Sequence, residues 1–417
     1  MVRMSPVPTV GIQAVEESEE AMRRNVNRML SATMGALLLS VLTAAHAQQA
    51  APPRPAMPAF RTTPNDTLVS PEVLSDNRVT LRLYAPEAKS VKVRGEWVSD
   101  FVEAQKGTDL QADSSGVWSV TVGPVRPGIF RYSFLVDGAE VADPRNPDSS
   151  QSLNFTRGMV AVPGLEYQDL GEVPHGAIHI EWYRSKTLGT LRRLHVYTPP
   201  GYENGAGKYP VFYLLHGAGD TDDSWSTVGR AGFILDNLIA ANRAKPMVVV
   251  MPAGHTTRQF TMGGGASSLS GQFEKDFTQD IVPYVESHYR VLTDRQHRAI
   301  AGLSMGGMHT LNLAFGNPEQ FAYVGVFSSG WFAMGQNAAD GPETRYAAAL
   351  DDARAKQGLK LLWLATGKDD FVLETTRATV ATLKRHGFQP EYQETAGSHT
   401  WENWRDYLRQ FAPRLFQ

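Results

Sequence analysis

Residues 298–309 read Arg-Ala-Ile-Ala-Gly-Leu-Ser-Met-Gly-Gly-Met-His. The first four residues have the apolar character of a buried strand's end. Gly302-Leu303-Ser304-Met305-Gly306 then forms a G-x-S-x-G pentapeptide. Beyond it, Met308, Leu311 and Phe315 recur at helical spacing. A strand, a tight turn and a helix around this pentapeptide predict a nucleophile elbow, with the Ser304 hydroxyl exposed at the edge of a sheet. Glycine is expected at 302 and 306 because side chains there would strike the neighbouring strand and helix. The new helix points its N-terminus at the serine, where developing negative charge is stabilised.

The rest of the chain supplies the setting. Its 417 residues are 42% hydrophobic and 20% charged, enough for two ordinary domains. A formal charge of −3 argues against a nucleic-acid partner. Without cysteine there is no disulfide framework and no thiolate metal site. His175 and His179 are spaced four apart, but the strand-like run after Gly176 argues against a helical ligand pair, so neither a metal nor a cofactor is expected. Residues 22–28 are basic, 29–43 apolar, and Ala45-His46-Ala47 is an A-x-A cleavage signal. Residues 1–47 are therefore expected to comprise an extension and a signal peptide, with translation starting at Met22 and cleavage after Ala47. That predicts export to the periplasm or medium, with no membrane contact after cleavage.

Residues 48–67, rich in Pro, Ala and Gln, read as a linker. Residues 68–156 carry short alternating strands at 78–84, 90–94, 117–122 and 130–136, which predict a small immunoglobulin-like β-sandwich. The stretches "RVTLRLYAPEAKSVKVRGEW" (78–97), "GVWSVTVGPVRPGIFRYSFLVDG" (116–138) and "ADPRNP" (142–147) resemble carbohydrate-binding module family 48. Trp97, Trp118, Tyr132 and Phe134 are candidates either for stacking on sugar or for the sandwich core. Residues 157–175 read as an inter-domain linker. From 176 to 417 the pattern becomes apolar strands alternating with helices, with one long helix at 273–289. It predicts an α/β-hydrolase fold with a mostly parallel, covered sheet.

A serine hydroxyl needs a base and an orienting acid, in the chain order Ser, Asp or Glu, His. Downstream of Ser304 stand His309, His386 and His399. His309 lies on the elbow helix and His386 at a helix end. His399 sits in a loop after the strand-like residues 391–394, where a base is expected. The acid is expected after the strand 360–365; Asp369, Asp370 and Glu374 are not separated by the residues alone. The oxyanion donors are expected from Met305 and from the loop His216-Gly217-Ala218-Gly219, with His216 organising that loop.

The stretches "YPVFYLLHGAGDTDDSW" (209–225), "DNLIAANRAKPMVVVMPAGH" (236–255), "RAIAGLSMGG" (298–307), "GKDDF" (367–371) and "HTWENWRDYLRQFAPRLF" (399–416) resemble carbohydrate esterase family 1, its feruloyl and acetyl-xylan esterases, and the related enterochelin esterases. The resemblance implies Ser304 as nucleophile, His399 as base, Asp370 as acid, and Ala218 and Met305 as oxyanion donors. It implies an ester hydrolase, exported by the N-terminal signal, whose partner is ester-decorated xylan or its oligosaccharides. Trp225, Trp331 and Trp401 are candidates either for an aromatic pocket that holds a phenolic acid or for the core. An enterochelin-type siderophore esterase is the alternative, with Arg230, Arg243 and Arg258 available for an anionic substrate. Acyl transfer to another alcohol would use the same residues. A catalytically inactive glycan-binding protein is the alternative of another class. Residues 261–265 fall where selectivity is often set in this family.

Overall fold

Apolar runs of five or six residues, alternating in the face they present, build the central sheet. In a computed structural model, Val211, Tyr213 and Leu215 of one such run join the core on one face, while Phe212 and Leu214 join the core on the other. Every side chain in that run is buried, as a strand covered on both faces requires. The structure describes residues 62–257, 271–332 and 341–417, apart from the side chains of Phe101 and Val102. The expected leader, its cleavage site, most of the 48–67 stretch, Arg258 and residues 261–265 lie outside the described residues.

Two sheets form the sandwich. One contains β1 (Glu72–Val73), β2 (Val79–Tyr84), β5 (Gln111–Ala112) and β6 (Val117–Val122), ordered β1-β2-β6-β5. The other contains β3 (Val91–Gly95), β4 (Thr108–Asp109), β7 (Gly128–Val136), β8 (Ala139–Val141), β9 (Ser149–Gln151) and β10 (Thr156–Val162). Its order is β4-β3-β7-β10-β9, with β8 on β7. β10 corrects the expected boundary at 156. Residues 157–162, expected in the linker, belong to β10, which pairs antiparallel with β7 and β9 and buries Val160 and Val162. Tyr132 and Phe134 are core residues; Trp97 and Trp118 are partly buried against that core.

The third sheet contains β11 (Ala177–Ser185), β12 (Thr190–Thr198), β13 (Val211–Leu215), β14 (Val248–Pro252), β15 (Arg298–Leu303), β16 (Tyr323–Phe327), β17 (Leu361–Gly367) and β18 (Glu391–Thr395). It is ordered β11-β12-β14-β13-β15-β16-β17-β18. It is a mixed sheet: β11, β12 and β14 pair antiparallel, and β14 through β18 pair parallel. The expected helix at 273–289 is interrupted by a π turn, Phe277–Ile281. Pro283 follows it, and a proline ring crowds the carbonyl four residues back, which a π turn relieves. Residues 62–417, sandwich and α/β sheet together, form one compact unit. Among the described residues, no helix is long and apolar enough to cross a membrane.

Because β13 to β18 run parallel, their C-terminal ends share one edge. The segments leaving that edge carry His216 after β13, Gly254 and His255 after β14, Ser304 after β15, Asp370 after β17 and His399 after β18. This edge is where open α/β sheets place their ligands.

Candidate active site

Ser304 joins β15 to the helix Met305–Gly316 with φ 50° and ψ −118°. For a residue with a Cβ this conformation costs about 1–3 kcal/mol and persists only where neighbours over-determine it. Here they do. The Ser304 N–H donates to Phe327 O at 2.9 Å, and Ser329 Oγ donates to Ser304 O at 2.6 Å. A Cβ on Gly302 would lie 2.4 Å from Gly306 backbone, and one on Gly306 would lie 2.5 Å from His216 O. Strand, helix and the loop after β13 thus meet at contacts that only glycine allows. Met305 opens the helix, so its N–H has no intrahelical acceptor.

The loop 216–219 packs directly on the elbow: a Cβ on Gly217 would lie 3.4 Å from Ser304 Cβ. Asp220 N–H donates to Gly217 O at 3.3 Å, and Gly219 has φ +80°, the sign a type II turn requires at its third position. Two histidines hold this turn. Gly254 N–H donates to His216 Nε2 at 2.8 Å, so His216 carries its proton on Nδ1, which donates to Gly217 O at 2.8 Å. Gly219 N–H donates to His255 Nε2 at 3.1 Å. Both rings must stay neutral to accept. Burial lowers the pKa of His216. Burial, then the neighbouring His216, His309 and Arg192, pushes His255 down to about 3. The residues alone gave His255 no role, although it closes the quoted stretch 236–255.

His399 Nδ1 lies 2.9 and 3.1 Å from the two carboxylate oxygens of Asp370. Asp370 is buried and also accepts the Val372 N–H at 3.0 Å. Burial raises its pKa, but the hydrogen bond and charge of His399 outweigh this and hold it below the usual carboxylate value. Asp369 and Glu374 are exposed, and Glu374 pairs with Arg377. Structure therefore separates the three acids that the residues alone left open. The loops bearing Asp370 and His399 are stitched by Lys368 N–H to Thr395 O and Asp369 N–H to Gly397 O. The His399 ring packs on Trp404 at 5.0 Å and on Phe371 at 4.5 Å between centroids. Phe371 is 71% exposed, an apolar ring presented to solvent beside the imidazole. A single phenylalanine in a loop carries no local signal of exposure, so the residues alone gave Phe371 no role.

The three candidate tryptophans fall on two faces of the sheet. Trp225 and Trp401 are buried in one core, 5.1 Å apart edge to face, with Trp225 Nε1 donating to Leu215 O. Trp331 packs against the core on the opposite face of the sheet, on Phe315 and Tyr346. The Trp225 and Trp401 indoles are enclosed by protein, whereas Trp331 is partly buried. Arg230 stacks on Phe233 and donates to Gln168 O. Among the described residues, no group of three or more His, Asp or Glu is arranged to hold a metal ion.

Comparison with known proteins gives two family matches. The family model described as "Putative esterase" matches residues 185–415, and "Carbohydrate-binding module 48 (Isoamylase N-terminal domain)" matches residues 69–149. The chain is 33% identical over 356 residues to an endo-1,4-beta-xylanase/feruloyl esterase of Xylanibacter ruminicola, covering 83% of this chain and 46% of the relative. It thus spans less than half of that relative's length. Among solved structures it is similar to a CE1 ferulic acid esterase of Anaeromyces mucronatus, in complex with ferulic acid (TM-score 0.54, 26% identity, 61% of this chain and 96% of that one). It shares the fold of the enterobactin esterase of Shigella flexneri (TM-score 0.55, 18% identity, 81% of this chain and 92% of that one).

Proposed function

The chain belongs to the esterase family matched over residues 185–415, and on that premise we propose that it is a serine esterase that hydrolyses feruloyl or acetyl esters carried by xylan or its oligosaccharides. The observation that carries the reading is the His399–Asp370 pair, at 2.9 Å, emerging from the same sheet edge as the strained Ser304. The xylanase/feruloyl esterase relative and the ferulic acid esterase structure support the substrate class. The sandwich, matched by a carbohydrate-binding model, is consistent with a glycan-borne ester.

In this reading Ser304 Oγ attacks the ester carbonyl while His399 Nε2 takes its proton. Asp370 holds Nδ1–H, fixing the tautomer and stabilising the imidazolium that forms. The N–H groups of Met305 and Ala218 bind the oxyanion, worth roughly 3 kcal/mol per donor in comparable sites. His399 returns the proton to the leaving alcohol, and a water deprotonated by His399 then releases the acid from the acyl-Ser304 ester. Residues 22–47 serve as an export signal, giving a mature start at Gln48.

The test compares the chain from Gln48 with its Ser304→Ala variant on methyl ferulate, an acetylated xylan oligomer and enterochelin. Release of ferulate or acetate by the parent alone is the expected result. Cleavage of enterochelin alone would overturn the substrate, and inertness toward activated aryl esters would overturn the enzyme reading. Sequencing the N-terminus of exported protein tests the cleavage.

A further inference from the structure

The loop that carries Ala218 is held from outside its own domain. Arg131, on β7 of the sandwich, is 7% exposed. Its Nη1 donates to Asp220 Oδ1 at 2.7 Å, and its Nε donates to Glu96 Oε1 at 2.8 Å. Asp220 is itself buried, the last residue of the turn 217–220, and its N–H closes that turn onto Gly217 O. Burial works to lower the pKa of Arg131, and the charges of Glu96 and Asp220 more than reverse it. The guanidinium also lies over the ring of Trp401, 5.7 Å from its centroid, two residues beyond His399.

A second attachment runs through the backbone. Just past β9, Leu153 N–H donates to Gly219 O at 2.8 Å, and Ser152 forms an antiparallel bridge with Asp220. The Gln151 N–H donates to Asp223 Oδ2 at 3.0 Å. Gly219 is thereby fixed on both sides, its carbonyl by the sandwich and its N–H by His255. The helix Trp401–Phe411, which follows His399, is tied to the same domain: Arg126 pairs with Glu402, and the buried Arg405 donates to Ile129 O at 3.2 Å.

We propose that the sandwich is a working part of the catalytic site: through Arg131 on Asp220 and Leu153 on Gly219 it sets the position of the oxyanion turn, making Arg131 a positioning residue for ester hydrolysis. The physical basis is the steepness of electrostatic stabilisation. An oxyanion donor acts only when aimed where charge develops, and a misplacement near 1 Å costs about 100-fold in rate. A turn closed by one 3.3 Å hydrogen bond gains its rigidity from the groups clamped around it. The role concerns hydrolysis itself and is separate from any sugar binding by the sandwich, so it applies to substrates that carry no sugar. It rests on the esterase reading above.

The test uses the full chain, its Ser304→Ala variant, Arg131→Lys, Asp220→Asn and the double variant Arg131→Gln/Asp220→Asn. The double variant leaves no unpaired buried charge between the two positions, so it answers where Arg131→Lys fails to fold. Rates on p-nitrophenyl acetate are normalised to active sites titrated with a p-nitrophenyl phosphonate. The expected result is a fall in kcat per site of about 10-fold or more with KM within about 3-fold. Affinity for phenylboronic acid, which places an anionic tetrahedral centre on Ser304, falls by a similar factor. An unchanged kcat per site, with loss only in the titre of folded enzyme, would overturn the positioning role. A change confined to KM would do the same. An inert parent, or full activity in Ser304→Ala, would instead overturn the esterase reading and the positioning role with it.

Discussion

His399 Nδ1 faces both carboxylate oxygens of Asp370, at 2.9 and 3.1 Å, while Asp369, its immediate neighbour, is exposed and offers only its backbone N–H, to Gly397 O. Two adjacent aspartates are thus set to different tasks by the direction in which the chain leaves β17. Asp370→Asn is expected to lower kcat on an aryl ester by about 1,000-fold or more, since the wrong tautomer of His399 is then favoured. Asp369→Asn is expected to change kcat less than about 3-fold. Steady-state kinetics of both variants checks this, and equal losses would reassign the acid.

Gly302 and Gly306 test the elbow's packing. A Cβ at 302 meets Gly306 backbone at 2.4 Å, and one at 306 meets His216 O at 2.5 Å. Neither obstacle is a flexible side-chain end, so strand, helix or loop must shift. Each alanine variant is expected to lose about 2–3 kcal/mol or more of stability, read by urea denaturation. Gly189→Ala serves as the comparison: it has open space around it but φ +66°, so its loss is expected to be about 1 kcal/mol, from backbone strain alone.

Acid sensitivity is expected from His255. Its folded pKa, about 3, is below the 6.5 of an unperturbed histidine. The unfolded chain therefore takes up this proton first. The stabilisation from a neutral His255 is complete above pH 6.5 and falls as pH drops toward 3. By pH 4 the loss is about 3 kcal/mol. His255→Gln, which keeps an acceptor for the Gly219 N–H, is expected to flatten this part of the stability–pH curve. An unchanged slope would show that other groups carry it.

Phe371 and Trp401 carry opposite expectations. Phe371→Ala removes an exposed ring beside His399 and is expected to change stability by less than about 0.5 kcal/mol while raising KM for methyl ferulate several-fold. Trp401→Ala empties a core position and is expected to cost about 3–5 kcal/mol, with KM per folded molecule little changed. Thermal melts combined with KM values separate the two. Equal stability losses would refute the contrast.

The sequence by itself determined the elements and most of the candidate chemistry. Apolar strand runs, the G-x-S-x-G turn and the His399 loop are local patterns, because side-chain period, glycine spacing and chain order are written along the chain. The resemblance singled out Asp370, and the burial of its carboxylate against His399 gave the physical separation from Asp369. Tertiary structure alone decided what depends on partners distant in sequence. β10 looks like a linker until β7 offers its edge, and β11 is a strand because β12 pairs with it. Trp225, Trp331 and Trp401 look alike as tryptophans, yet they are divided between two faces of one sheet. The clamp of Arg131 on Asp220 spans 89 positions. No local pattern encodes such a contact, because a buried charge acquires its meaning from the opposite charge that folding brings to it.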